Sequence, residues 1–148
     1  MKRFAALCCA ALLVGCAPSE EQAEMETPDT PMISLADVAG EWTMEALPEM
    51  GDSALVTYEM VATGTTEGWT LTFPDREPLP VRVVAVEGDS IIVEVGPYES
   101  ALRDGLMVST RSVVRLQDGN LNGTFVAHYQ TSEPDSVLRG RQRGTRMR

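Results

Sequence analysis

From Gly40 onward the chain is a series of short runs in which apolar and polar residues alternate, cut at close intervals by Gly, Pro, Asp and Asn. A period of two puts successive side chains on opposite faces of an extended backbone, so each run reads as a strand with one buried face. Eight runs fit: 40–47, 53–62, 68–73, 79–86, 90–95, 106–116, 120–129 and 136–143. Their separators are turn-forming: Pro48 to Asp52, Thr63-Gly64, Pro74-Asp75, Glu87-Gly88-Asp89, Asp118-Gly119-Asn120 and Pro134-Asp135. Short connections make sequence neighbours pair antiparallel, and eight such strands close into an up-and-down barrel without exposed edges. A two-sheet sandwich needs longer crossovers, and only 96–105 approaches one. The fold class expected is therefore all-β, an eight-stranded antiparallel up-and-down barrel. A helix signal precedes it: Ser34 is a suitable N-cap for one turn over 34–39, ended by Gly40.

The first 33 residues follow a different logic. Met1-Lys2-Arg3 is basic, and Phe4 to Val14 is an unbroken apolar run. As a helix that run rises only about 16 Å, too short to span a bilayer, and reads as a secretory signal. Leu13-Val14-Gly15-Cys16 closes it. That motif resembles the lipobox of bacterial lipoproteins. The resemblance implies cleavage before Cys16, lipidation of its thiol and attachment to a membrane through the N-terminus. Residues 16–33 then form a tether: five acids, three prolines and almost no bulky apolar residue bury too little surface to order. The residue after the cysteine is Ala17 rather than Asp, which by the same resemblance favours the outer membrane, facing the periplasm. The domains expected are a signal peptide at 1–15, the lipidated cysteine and tether at 16–33, and the barrel at 34–148.

Cleavage would remove 15 of 148 residues, leaving 133, a single domain by length. Cys8 and Cys9 leave with the signal and lipid occupies Cys16, so the fold must rest on its apolar core. Both Lys2 and Arg3 leave as well. Ten arginines, no lysine and 22 acids remain. A chain this acidic is a poor partner for nucleic acid, and it has no lysine for Schiff-base or general-base chemistry.

Gly40-Glu41-Trp42 opens the first strand directly after the helical turn. This resembles the start of the first strand in the lipocalin and calycin superfamily. The resemblance implies a ligand-binding barrel and an arginine near the C-terminus packed over the tryptophan; the last strand offers several. Parity turns Trp42, Met44 and Ala46 inward and Glu41 and Glu45 outward. In the last strand Arg139, Arg141 and Arg143 share a face opposite Leu138, Gly140 and Gln142. Closure should set the acidic stripe beside the basic one and place Gly140 next to the Trp42 indole.

The same parity turns Val56, Tyr58, Met60, Trp69, Leu71, Phe73, Val81, Val83, Ile91, Val93, Leu106, Val108, Val114, Leu116, Leu121 and Phe125 inward. It also turns Thr110 and Ser112 inward, and Gly123 and Ala127 beside Phe125 are small. Small and weakly polar residues at mid-barrel suggest a cavity with a polar foothold. The candidate ligand contacts are Trp42, Tyr58, Trp69, Thr110, Ser112 and Phe125. The alternative is an interior filled by side chains. Tyr98, Glu99 and Arg103 on the longest separator suggest a recognition surface or lid, the alternative being Tyr98 and Leu102 packed over a barrel end.

The only histidine, His128, falls on an outward position. No nucleophile elbow, P-loop, dinucleotide fingerprint or metal-spaced Cys/His cluster occurs, so no cofactor, metal or catalytic residue is expected. Asp75, Glu77, Glu87 and Asp89 read as solvated turn acids rather than a calcium loop. The function expected is non-enzymatic binding of a small apolar or amphipathic ligand by a lipid-anchored envelope protein. The alternative is a protein–protein or structural module of the envelope with a filled barrel.

Overall fold

A computed structural model describes residues 32–148. The signal segment, Cys16 and all but the last two residues of the expected tether lie outside the described residues. The described chain is a short helix, α1 (Leu35–Val38), followed by eight strands: β1 (Gly40–Pro48), β2 (Val56–Ala62), β3 (Thr70–Thr72), β4 (Leu79–Glu87), β5 (Ser90–Glu99), β6 (Met107–Gln117), β7 (Asn120–Tyr129) and β8 (Val137–Arg146). Each strand pairs with the next and β8 returns to β1, so the sheet is a closed antiparallel barrel in sequence order.

The ends of the barrel differ. α1, the loop at 63–69, the hairpins at 88–89 and 118–119 and the C-terminus share one end. The loops at 49–55, 73–78, 100–106 and 130–136 share the other. The first end is strapped shut. The Ser34 amide donates to the Asp37 carboxylate (2.9 Å), fixing the helical turn. The Ile33 amide donates to the Gly88 carbonyl (2.9 Å), and its side chain packs on the core. Ile33, the last residue of the expected tether, therefore belongs to the folded domain.

Trp42 is fully buried beneath this strap and its indole N–H donates to the Val38 carbonyl (2.9 Å). Arg146 closes over it, its guanidinium carbon 4.3 Å from the ring centre. The same guanidinium donates to the carbonyls of Ala39 (2.5 Å) and Asp37 (2.9 Å). Gly40 must be glycine here: its φ is +143°, and a Cβ would lie 2.5 Å from Arg146 Nη1.

The interior follows parity closely. Fifteen of the nineteen apolar residues assigned inward are buried, from Trp42 to Phe125, and Val56, Val83, Leu106 and Leu116 pack against them partly buried. The seam departs from expectation. Arg146 lies opposite Trp42 on β1, and Gly140 lies opposite Pro48. β8 runs three residues past its expected end because Arg146 finds acceptors and an aromatic face at the strapped end. Gly140 therefore packs against Phe125 and the Leu47 backbone instead of the indole. Of the two charge stripes only one pair meets across the seam, Arg143 Nε with Glu45 Oε2 (2.5 Å). Arg141 turns to the carbonyls of Pro48 and Gly51 and to Asp52, and Arg139 faces Val126 of β7.

On the outer wall Glu94 takes Arg111 (2.5 Å) and Arg82 together, and these two arginines, Arg111 first, hold its carboxyl below the usual range. Because the folded value is the lower one, this contribution is complete above the ordinary value of 4.5 and is lost as pH falls through the lowered one. Glu94→Gln should therefore flatten the acid limb of a stability-versus-pH curve and leave the neutral and alkaline limbs parallel to wild type. Gly140→Leu should unfold at lower urea, since a Cβ would already sit 2.6 Å from the Phe125 ring and overpacking costs about 1–3 kcal/mol. Arg143→Ala, at an exposed pair, should barely move the midpoint.

Candidate ligand cavity

Between the Trp42 end and the loops at 100–106 and 130–136 the barrel encloses a cavity of about 70 Å³. Tyr58, Thr110, Ser112 and Phe125, four of the six candidate contacts, line it. The other two do not. Trp42 is consumed by the strapped end, where Val38 and Arg146 satisfy it. Trp69 is buried but its indole donates to the Thr65 carbonyl (2.8 Å), and it borders a separate pocket with Arg82, Glu94, Arg111 and His128 instead. Trp42 is the third residue of β1 and Trp69 precedes β3, so both lie toward the α1 end rather than at mid-barrel.

The wall is mostly apolar, and no charged residue lines it. Its polar groups are arranged in two places. Tyr98, on the side of β5, reaches Thr110 of β6, hydroxyl to hydroxyl at 3.2 Å. Deeper in, the Tyr58 hydroxyl donates to Gln142 Oε1 (3.0 Å), crossing β1 at Ala46, whose small side chain leaves the path free. Burial pushes the titration of both phenols up, so each stays a neutral hydroxyl. Gln142 is 4% exposed and lines the cavity, and its Nε2 has no hydrogen-bond partner among the described residues. An unpaired buried amide is costly, on the order of 1–3 kcal/mol, so this group marks the place where a ligand or water atom belongs. Strand parity puts Gln142 on the same face as Gly140, the inward one. Only the cross-barrel partner, which no local pattern encodes, turns it into a site residue.

The mouth is built by the segment from Gly96 onward. Gly96 to Glu99 continue β5 after an irregularity between Val95 and Tyr98, so the loop proper is shorter than expected. The Tyr98 ring packs on Phe73 at 5.7 Å between centres, which is the packed-end arrangement, and Leu102, 40% exposed, edges the opening. Ser100 is buried and its Oγ accepts the amides of Leu102 and Arg103 (3.0 Å each), which folds the turn. Two arginines then hold the loop to its neighbours. Arg76 donates to the carbonyls of Glu99 (2.6 Å) and Ser100 (3.2 Å). Arg103 stacks on Tyr129 (4.3 Å), donates to the Asp135 carbonyl (2.8 Å) and pairs with its carboxylate (3.2 Å).

His128 is exposed on the outer wall of β7, opposite Ser109. Asp89 bonds Ser90 and Arg115, and among the described residues no group of three or more His, Cys, Asp or Glu could hold a metal ion. No protein-family model, no curated protein and no solved structure matches this chain.

About 70 Å³ of water-accessible space is room for roughly five water-sized atoms, at about 10–15 Å³ each. Drug-sized pockets run to about 300–1,000 Å³. The site as built suits something slender and small, or the end of a chain. Because Arg103 ties the 100–106 loop to the 130–136 loop through its side chain, Arg103→Ala should speed hydrogen exchange at the amides of Leu102 and residue 103. Exchange along β7 should stay as in wild type, since its ladder pairs on both sides.

Proposed function

We propose that this chain is a lipid-anchored protein of the bacterial envelope whose lipocalin-like barrel takes up a small, slender, largely apolar molecule. The observation that carries the reading is the cavity itself: an apolar void open toward the 100–106 loop, with one buried amide left unpaired. Gly40-Glu41-Trp42, the closed barrel and Arg146 over Trp42 support the lipocalin resemblance. Leu13-Val14-Gly15-Cys16 supports the anchor, and Ala17 the outer membrane with the domain in the periplasm. Binding rather than catalysis is favoured because the cavity's polar groups are neutral phenols, hydroxyls and an amide, none set against a base.

A second reading rests on a different feature. Met50 (88% exposed), Leu55, Leu102, Met107 and Val137 all lie in or beside the loops of the mouth end. Such a rim supports contact with an envelope protein partner.

Two experiments test these readings. Cys16→Ser should abolish palmitate incorporation; unchanged labelling would remove the anchor. Native mass spectrometry of the protein purified from its own envelope should show a small bound mass that is lost in Ala127→Leu, which fills the cavity from β7. A co-purifying protein that is lost in Leu102→Asp and kept in Ala127→Leu would favour the second reading.

A further inference from the structure

The walls of the cavity also say what kind of polar group its occupant carries. In this structure the Tyr58 hydroxyl donates to Gln142 Oε1. That leaves Nε2, a donor, as the group without a partner. Its pairing neighbours across the sheet are Ala46 and Gly123, and neither carries a side chain that could accept from it. The missing partner is therefore a hydrogen-bond acceptor.

The acceptor's charge follows from the rest of the lining. A carboxylate at this depth would lose its hydration and meet no cation, since no charged residue lines the cavity. Arg103, the cation closest to the mouth along the loop, is already engaged by Asp135 and stacked on Tyr129. A neutral acceptor loses far less on entry and recovers it from the waiting amide. Gln142 lies four residues along β8 from Leu138 at the mouth, about 13 Å at 3.3 Å per residue. The occupant thus enters polar end first and leaves its apolar chain against Phe73, Leu102 and Leu138.

Resting on the ligand-binding reading above, we infer that Gln142 selects a neutral carbonyl-type acceptor at the buried tip of a slender apolar ligand, against a carboxylate of the same length. The probes are 2-hexanone, hexanoate and hexane, titrated into the full-length protein with side-chain and methyl resonances of the cavity followed by NMR. Wild type should bind 2-hexanone about tenfold more tightly than either of the others, the size of one well-made hydrogen bond. Gln142→Leu should bring 2-hexanone to within about threefold of hexane and leave hexane itself little changed. Tyr58→Phe keeps the amide and frees it to turn; it should lower the ketone preference part of the way, and it serves if Gln142→Leu does not fold. Hexanoate binding as tightly as the ketone, a ketone preference that survives Gln142→Leu, or one left undiminished in Tyr58→Phe, would overturn the inference while leaving a ligand-binding barrel. If none of the three probes shifts a cavity resonance, the ligand-binding reading itself falls.

Discussion

Pairing of β1 with β8 is the contact on which the remaining structure depends. Without it both strands would present unpaired backbone groups to solvent, and the core would lie open along its length. With it, the ladder from Trp42↔Arg146 to Pro48↔Gly140 makes eight hairpin-linked strands one wall. The register of that ladder is set at its α1 end. Arg146 meets the Trp42 ring and two backbone carbonyls at once, and a shift of two residues along β8 would lose all three contacts. The exposed Glu45–Arg143 pair is compatible with this register, but a single exposed pair is too weak to choose it.

Fixing the register at one end decides what happens at the other. Gly144, Gln142 and Gly140 fall inward in turn beside Met44, Ala46 and Pro48. Two glycines and an alanine on the seam keep this side of the barrel thin. Gly144 accommodates the Met44 sulfur and Gly140 the edge of Phe125. Between them the one polar residue, Gln142, meets Tyr58 across Ala46. The cavity and its unpaired amide are thus consequences of where β8 stops sliding, and the stop is thirteen or so ångströms away at Trp42, four residues at about 3.3 Å each.

This dependence explains what the amino-acid order made legible. Alternation and turn residues gave the strand count, the up-and-down order and nearly all inward residues, because those are local properties with a period of two. Strand pairing across the closing seam is not local. Parity is satisfied equally well by every even shift, so it could not choose between Gly140 and Gly144 as the small residue near the first strand's core positions. The same blindness put Trp42 and Trp69 in the cavity: both face inward, yet each sits at a strand start where a backbone carbonyl, from Val38 or Thr65, claims its N–H. Leu47 shows the converse. Its parity is outward, and it is nonetheless buried, on the stretch where Arg141 draws the 49–55 loop back to Pro48 and Gly51.

Arginine chemistry accounts for how both ends are held in a chain whose barrel contains no lysine. Arg76, Arg103, Arg141 and Arg146 each donate to one or more backbone carbonyls at a loop or terminus. A planar fork reaches two carbonyls at fixed spacing and still offers a flat face to an aromatic ring, as Arg146 does to Trp42 and Arg103 to Tyr129. A lysine ammonium could supply the charge without that geometry. The clamps are not equivalent, however. Arg146 binds a tryptophan that is fully buried and a strap that spans its end, so opening there would expose the core. Arg103 and Arg76 bind loops that edge a void, so opening there would expose only the mouth. Opening is therefore less costly on the 100–106 side, where it would break a few charge-assisted hydrogen bonds rather than expose the indole of Trp42.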